Sequence, residues 1–244
     1  MEQREEGRIP GKENLQGMRI GGLQKFSLID YPGKVAAVVF TQGCNFRCSY
    51  CQNPELVLPW MFEDPIPVKT VLQFLEKRSG QLEGVVVTGG EPTLQKDLFS
   101  FLERIKAMGY CVKLDTNGSH PEVLKKLIAF GLVDFIAMDI KAPLEKYCEV
   151  TCVLTNTQRL KESIDVILKS GLAYEFRTTL VKSLFPAEDL SKIASLVPDA
   201  KRYVVQRFVP SYKMLDRDLL HSRQYTVEEM NEIKTQWDRG VVVR

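Results

Sequence analysis

The stretch VAAVVFTQGCNFRCSYCQNP, residues 35–54, runs an apolar, β-branched segment straight into three cysteines spaced C-x3-C-x2-C. Residues 35–41 have the composition of a strand. The residues that follow, with Gly43, Asn45 and Asn53 around the thiols, read as a loop at that strand's end. Cys44, Cys48 and Cys51 are half of the chain's six cysteines, gathered within eight residues. Thiols crowded on such a loop are badly placed for core packing and well placed to bind metal or react.

Outward from this loop the pattern is regular. Further β-rich runs cover residues 84–88, 110–116, 133–140, 175–181 and 202–208. Between the six runs lie stripes at helical spacing, such as Leu98, Phe101, Leu102 and Ile105, or Leu160, Ile164, Ile167 and Leu168. Strands alternating with amphipathic helices along nearly the whole chain predict a parallel sheet with helical crossovers. Residues 1–17 hold few apolar side chains and no periodicity, and read as a mobile N-terminal tail. Residues 18–210 form the core domain, and 211–244 a C-terminal extension. Within that extension TVEE, residues 226–229, has the form of a capping box, followed by Met230, Ile233 and Trp237 on one helical face.

The bulk numbers exclude several classes. Of 244 residues 44% are hydrophobic and 26% charged, and 33 basic against 31 acidic residues leave a net charge of +2. No field of one sign points to nucleic acid or anionic lipid. The longest apolar run is six residues, far short of the roughly 20 of a membrane helix. With no signal-peptide pattern, the expectation is a cytoplasmic protein of one domain, whose clustered cysteines serve metal or reactivity rather than disulfides.

Structural zinc is usually closed by four Cys or His ligands, and the two histidines here, His120 and His221, are far from the cluster in sequence. A [4Fe–4S] cluster has one iron per ligand, so three thiolates leave one iron open to a ligand that is not protein. CNFRCSYC, with Tyr50 before the third thiol, resembles the C-x3-C-x-aromatic-C signature of the radical S-adenosylmethionine (radical SAM) superfamily. That resemblance implies a [4Fe–4S] cluster on Cys44, Cys48 and Cys51, with S-adenosylmethionine (SAM) on the fourth iron, and an α/β partial (βα)6 barrel with a C-terminal helix.

Polar residues close successive strands. TGGEP, residues 88–92, ends the second; by itself Gly-Gly-Glu most often marks a turn. DTNGS, 115–119, ends the third, where Asn117 and Gly118 read as a turn. DIKAP, 139–143, ends the fourth, and Arg177 lies in the fifth. Such ends converge on one mouth in parallel barrels. The resemblance implies that Tyr50, Gly89, Gly90, Glu91, Asp115, Lys141 and Arg177 bind SAM, with Glu91 facing its amino group.

GGLQKFSLIDYPGK together with these motifs is similar to the branch of activating proteins for anaerobic ribonucleoside-triphosphate reductase. This implies reductive cleavage of SAM to a 5′-deoxyadenosyl radical, a glycyl-radical enzyme as protein substrate, and a flavodoxin- or ferredoxin-type electron donor. A radical SAM enzyme acting on a small molecule or another peptide is the alternative, and a non-enzymatic zinc module is disfavoured. The chain departs from the branch after DIKAPLEKY, reading CEVTCVLTN where a Gly-ended stretch is expected. Cys111, Cys148 and Cys152 read as ordinary thiols.

Overall fold

The structure, a computed structural model, describes residues 17–236 and 241–243. One eight-stranded sheet runs in chain order. It comprises β1 (Ile20–Ser27), β2 (Ala36–Thr41), β3 (Gly84–Gly89), β4 (Cys111–Thr116), β5 (Phe135–Asp139), β6 (Ala173–Leu180), β7 (Tyr203–Arg207) and β8 (Val241–Val243). β1 is antiparallel to β2, and every later pairing is parallel. The helices are α1 (Pro54–Val57), α2 (Val68–Lys77), α3 (Leu98–Ala107), α4 (Pro121–Ala129), α5 (Tyr147–Thr151), α6 (Thr157–Lys169), α7 (Ala187–Ala194) and α8 (Val227–Gln236).

The six expected strands are β2 to β7, the parallel core of the (βα)6 unit. The edge strands β1 and β8 are additions. IGGLQKFS carries two glycines, a glutamine and a lysine, so its side chains do not alternate as a strand's would; its pairing with β2 makes it one. The capping box forms as expected, with the Thr226 N–H donating to Glu229 Oε2 and the Glu229 N–H to Thr226 Oγ1. Of the tail only Gly17 falls among the described residues, and its N–H donates to Asp97. Trp237 lies outside them. No helix among the described residues is long and apolar enough to cross a membrane.

Because side chains alternate across a strand, the two faces of the sheet have different fates. Val85 and Val87 of β3, Val112 and Leu114 of β4, and Ile136 and Met138 of β5 join the helix stripes in one large cluster. Ala36, Val38, Val86, Phe135 and Ala137 face the other way and form a separate small cluster closed by Tyr31, just before β2. This is the apolar floor of the partial barrel. Further along the same inner face come Lys113, Asp115, Asp139 and Arg177, so the wall changes from apolar to charged toward the C-terminal strand ends.

The departure after DIKAPLEKY has a backbone correlate. α5 ends on Cys152, which caps it at φ 52° and ψ 28° and is the only non-glycine residue at positive φ among those described. A left-handed helix C-terminus is ordinarily glycine, because Cβ is crowded there by about 1–2 kcal/mol. Cys152→Gly should therefore raise the unfolding free energy by up to about 1 kcal/mol, glycine's greater freedom in the unfolded chain offsetting part of the relief. Denaturant titration of the two proteins measures the difference.

Candidate active site

The cysteine loop is held by backbone on every side. The Gly43 N–H donates to the Leu56 carbonyl (2.7 Å), Gln42 to Arg19 (2.9 Å) and Arg47 to Thr151 at the end of α5 (2.8 Å). The segment beyond β7 returns to it, with Leu215 and Asp216 donating to the carbonyls of Cys51 (3.0 Å) and Ser49 (2.9 Å). The end of β3 meets the loop directly: Gly90 donates to Thr41 and Glu91 to Gly43, both at 2.8 Å. A Cβ on Gly89 would lie 2.4 Å from the Thr41 nitrogen, and one on Gly90 would lie 2.1 Å from the Gly43 oxygen. The space these glycines leave is filled by the chain itself, a reason for Gly-Gly that precedes any ligand.

The thiols and all seven SAM-binding positions expected from the sequence line one cleft of about 580 Å³, open solvent at its mouth included. Glu91 is fully buried. Its Oε1 accepts from the Thr93 N–H (3.1 Å), the Thr93 hydroxyl (2.5 Å) and the Thr116 hydroxyl (2.8 Å), and its Oε2 accepts from the Asn117 N–H (2.7 Å). Burial pushes its pKa up against the pull of these four donors. The carboxylate thus locks the ends of β3 and β4 together. The Asn117 amide donates in turn to Asn45 Oδ1 (2.9 Å) and stands 3.9 Å from Cys44 Sγ, tying β4 to the cysteine loop. Asn117 reads as a turn residue in sequence, and its contact with Asn45 spans 72 positions, which local pattern does not reveal.

Across the cleft runs a row of alternating charges. Lys113 pairs with Asp115 Oδ1; Arg177 donates through Nη1 to Asp115 Oδ2 (3.0 Å) and through Nε to Asp139 Oδ1 (2.8 Å); Lys141 donates to Asp139 Oδ2 (2.9 Å). Burial alone would raise the Asp139 pKa, yet Arg177 and Lys141 hold it well below the usual carboxylate range. Asp115 and Arg177, expected to face the ligand, face each other as well. Lys113 is the member sequence reading did not select, and its signal was a lysine two positions before Asp115 on the same face of a β-rich run.

The donor set discriminates between metals. Among the described residues Cys44, Cys48 and Cys51 line the cleft without a histidine beside them, one ligand short of the four that usually close a structural zinc site. Three thiols on one cleft suit a [4Fe–4S] cluster with one iron left open. Tyr50 also fits a bound organic group: its hydroxyl is buried in the cleft wall and meets no hydrogen-bond partner among the described residues. Cys111 is partly buried at the floor, and Cys148 and Cys152 are exposed on and beside α5.

Burial pushes the Cys44 thiol up to about 12 and Cys48 up to about 11, and raises Cys51. Metal-free chain at pH 8 should therefore keep all three protonated, and cluster loading should release protons, measurable as base consumed in a pH-stat. Under the same conditions iodoacetamide should label Cys148 and Cys152 well before Cys48, as peptide mass spectrometry would show. Gly90→Ala should cost about 3 kcal/mol or more in chemical unfolding, because the Gly43 carbonyl cannot yield without moving the loop.

The radical SAM superfamily profile matches residues 38–197. A Methanocaldococcus jannaschii protein named as a glycyl-radical enzyme activating enzyme is 34% identical over 232 residues, 92% of this chain and 95% of its own. The pyruvate formate-lyase-activating enzyme of Clostridium pasteurianum is 27% identical over 212 residues, 80% of this chain and 83% of its own. Among solved structures, Streptococcus suis SuiB bound to S-adenosylmethionine aligns with a TM-score of 0.62 at 14% identity over 82% of this chain, which spans about half of that longer one, 48%. Enzymes of this family use a [4Fe–4S] cluster and SAM, the pair that the three thiols and the orphaned Tyr50 hydroxyl fit. The chain, with its C-x3-C-x2-C loop at the mouth of a partial barrel, belongs to the radical SAM superfamily and is an enzyme of its glycyl-radical activating branch.

Proposed function

We propose that the protein generates a glycyl radical on a partner enzyme of the anaerobic ribonucleoside-triphosphate reductase kind, drawing its electron from a flavodoxin- or ferredoxin-type donor in the cytoplasm. The observation that carries this is the arrangement of one cleft. Three thiols stand at one side, a buried carboxylate, Glu91, at the end of β3, and cationic Lys141 and Arg177 at the ends of β5 and β6. The near end-to-end match to a relative named as an activating enzyme supports the choice of partner class.

In this reading Cys44, Cys48 and Cys51 hold the cluster. The methionine part of SAM lies along the cleft, with its ammonium toward Glu91 and its carboxylate toward Lys141 and Arg177. Tyr50 supplies a hydroxyl to a polar atom of SAM, since leaving it buried without a partner costs about 1–3 kcal/mol. When bound, cluster and SAM supply reductive cleavage to methionine and a 5′-deoxyadenosyl radical. The chain's own work is positional. The Glu91 network and the row of charges hold SAM rigidly, and the buried walls keep water from the reacting end. A backbone Cα–H of glycine is a fitting target, because without Cβ it can approach closely and its radical is stabilised by the flanking amides.

Reduced, cluster-loaded enzyme incubated anaerobically with SAM and a co-encoded glycyl-radical enzyme should yield a glycine-centred doublet in electron paramagnetic resonance, with one 5′-deoxyadenosine per radical. Formation of 5′-deoxyadenosine with turnover of a small molecule or another peptide, and no doublet on any such partner, would replace this reading with the alternative.

A further inference from the structure

Lys113 is the least expected residue in the barrel. It occupies a middle position of β4 on the inner face, in register with Phe135 of β5, and only 1% of its side chain is exposed. Its ammonium sits 5.8 Å from the centroid of the Phe135 ring, on the apolar floor. It does not line the cleft; it touches Asp115, which does. Burying an ammonium in such a place is costly, and a buried ion pair can often be replaced by packed apolar side chains without loss of stability. A purely structural demand at this position would be met by leucine or methionine.

What Lys113 changes is the charge of the row above it. Asp115, Arg177, Asp139 and Lys141 sum to zero, and Lys113 at the inner end makes the five sum to +1. Two further acidic groups stand apart from the row: Glu175 pairs with Arg202, and Glu91, held by four neutral donors at the end of β3, keeps its own negative charge, which the proposed placement sets against the ligand's ammonium. Arg177 is divided between two carboxylates and Asp139 between two cations. The charge of Lys113 stays beneath Asp115, and its field adds to the positive potential at Arg177 and Lys141.

We infer that Lys113 is a positioning residue for SAM: by taking one oxygen of Asp115 from below, it gives the row one more cation than carboxylates, and this excess favours the ligand's carboxylate at the Arg177–Lys141 end. This rests on the placement of that carboxylate under the proposed function. The test compares SAM with decarboxylated SAM, which lacks only that group, on oxidised, cluster-loaded enzyme by anaerobic calorimetry. Wild type should prefer SAM. Lys113→Met, with a row sum of zero, should reduce the preference about tenfold, one charge's worth in a partly desolvated site. The double variant Lys113→Met with Asp115→Asn restores +1 and should recover the wild-type preference, and Asp115→Asn alone should exceed it.

A merely structural role for Lys113 would weaken both ligands alike and leave their ratio unchanged, which overturns the inference while the SAM site stands. Should Lys113→Met fail to fold, the ordering of Asp115→Asn above wild type and of the double variant level with it still decides, and any other order overturns the proposal. A wild type indifferent to the carboxylate would remove the proposed SAM placement itself, and this inference with it.

Discussion

The backbone contact between the end of β3 and the cysteine loop is the constraint on which the site depends. Gly90 and Glu91 donate to Thr41 and Gly43, and no side chain heavier than hydrogen fits at Gly89 or Gly90. That contact fixes where the loop leaves β2, and so where the thiols stand relative to Glu91. Glu91 then passes the constraint on: its carboxylate collects donors from Thr93, Thr116 and Asn117, and Asn117 reaches back to Asn45 within the loop. The thiols, the acidic group and two strand ends therefore move as one body, which is what holding a reactive cofactor in a single geometry requires.

The second theme is the gradient along the inner wall. Tyr31, Phe135, Val38 and Val86 seal the floor with aromatic and aliphatic side chains, and this low-dielectric base makes the charges above it count for more than they would in water. Lys113 lies at the boundary. A row of five buried or half-buried charges is not the most stable way to fill a barrel; it is a way to aim a field along the cleft toward its open end. Violations of simple burial rules are expected where a site must bind something.

The segment beyond β7 belongs to the same body. Leu215 and Asp216 pair with Cys51 and Ser49, Gln52 donates to the Val209 carbonyl, and Tyr50 packs edge-on against Phe208. Residues assigned in sequence to an extension thus brace the outer side of the cysteine loop, while α5 braces it through Thr151 and Arg47.

Local pattern determined β2 to β7 and the five longer helices between them, α2, α3, α4, α6 and α7, because each of these helices buries one stripe and each strand of a parallel sheet is apolar enough to stand out locally; the short α1 and α5 carry no such stripe. The thiol spacing and the polar residues closing successive strands marked the site, since chemistry of that kind is confined to loops at strand ends. The edge strand β1 was not legible, because two glycines and its polar side chains hide it until β2 supplies the ladder. Nor was the partnership of each polar residue. Glu91 pointed to a ligand and also gathers four donors from the chain; Asn117 read as a turn and bridges to Asn45; Lys113 was passed over and terminates the row of charges. Which carboxylate is spoken for and which cation is left over depends on contacts such as Arg177 with Asp115, 62 positions apart. Such contacts exist only after the strands have been laid side by side, and only the tertiary structure could decide them.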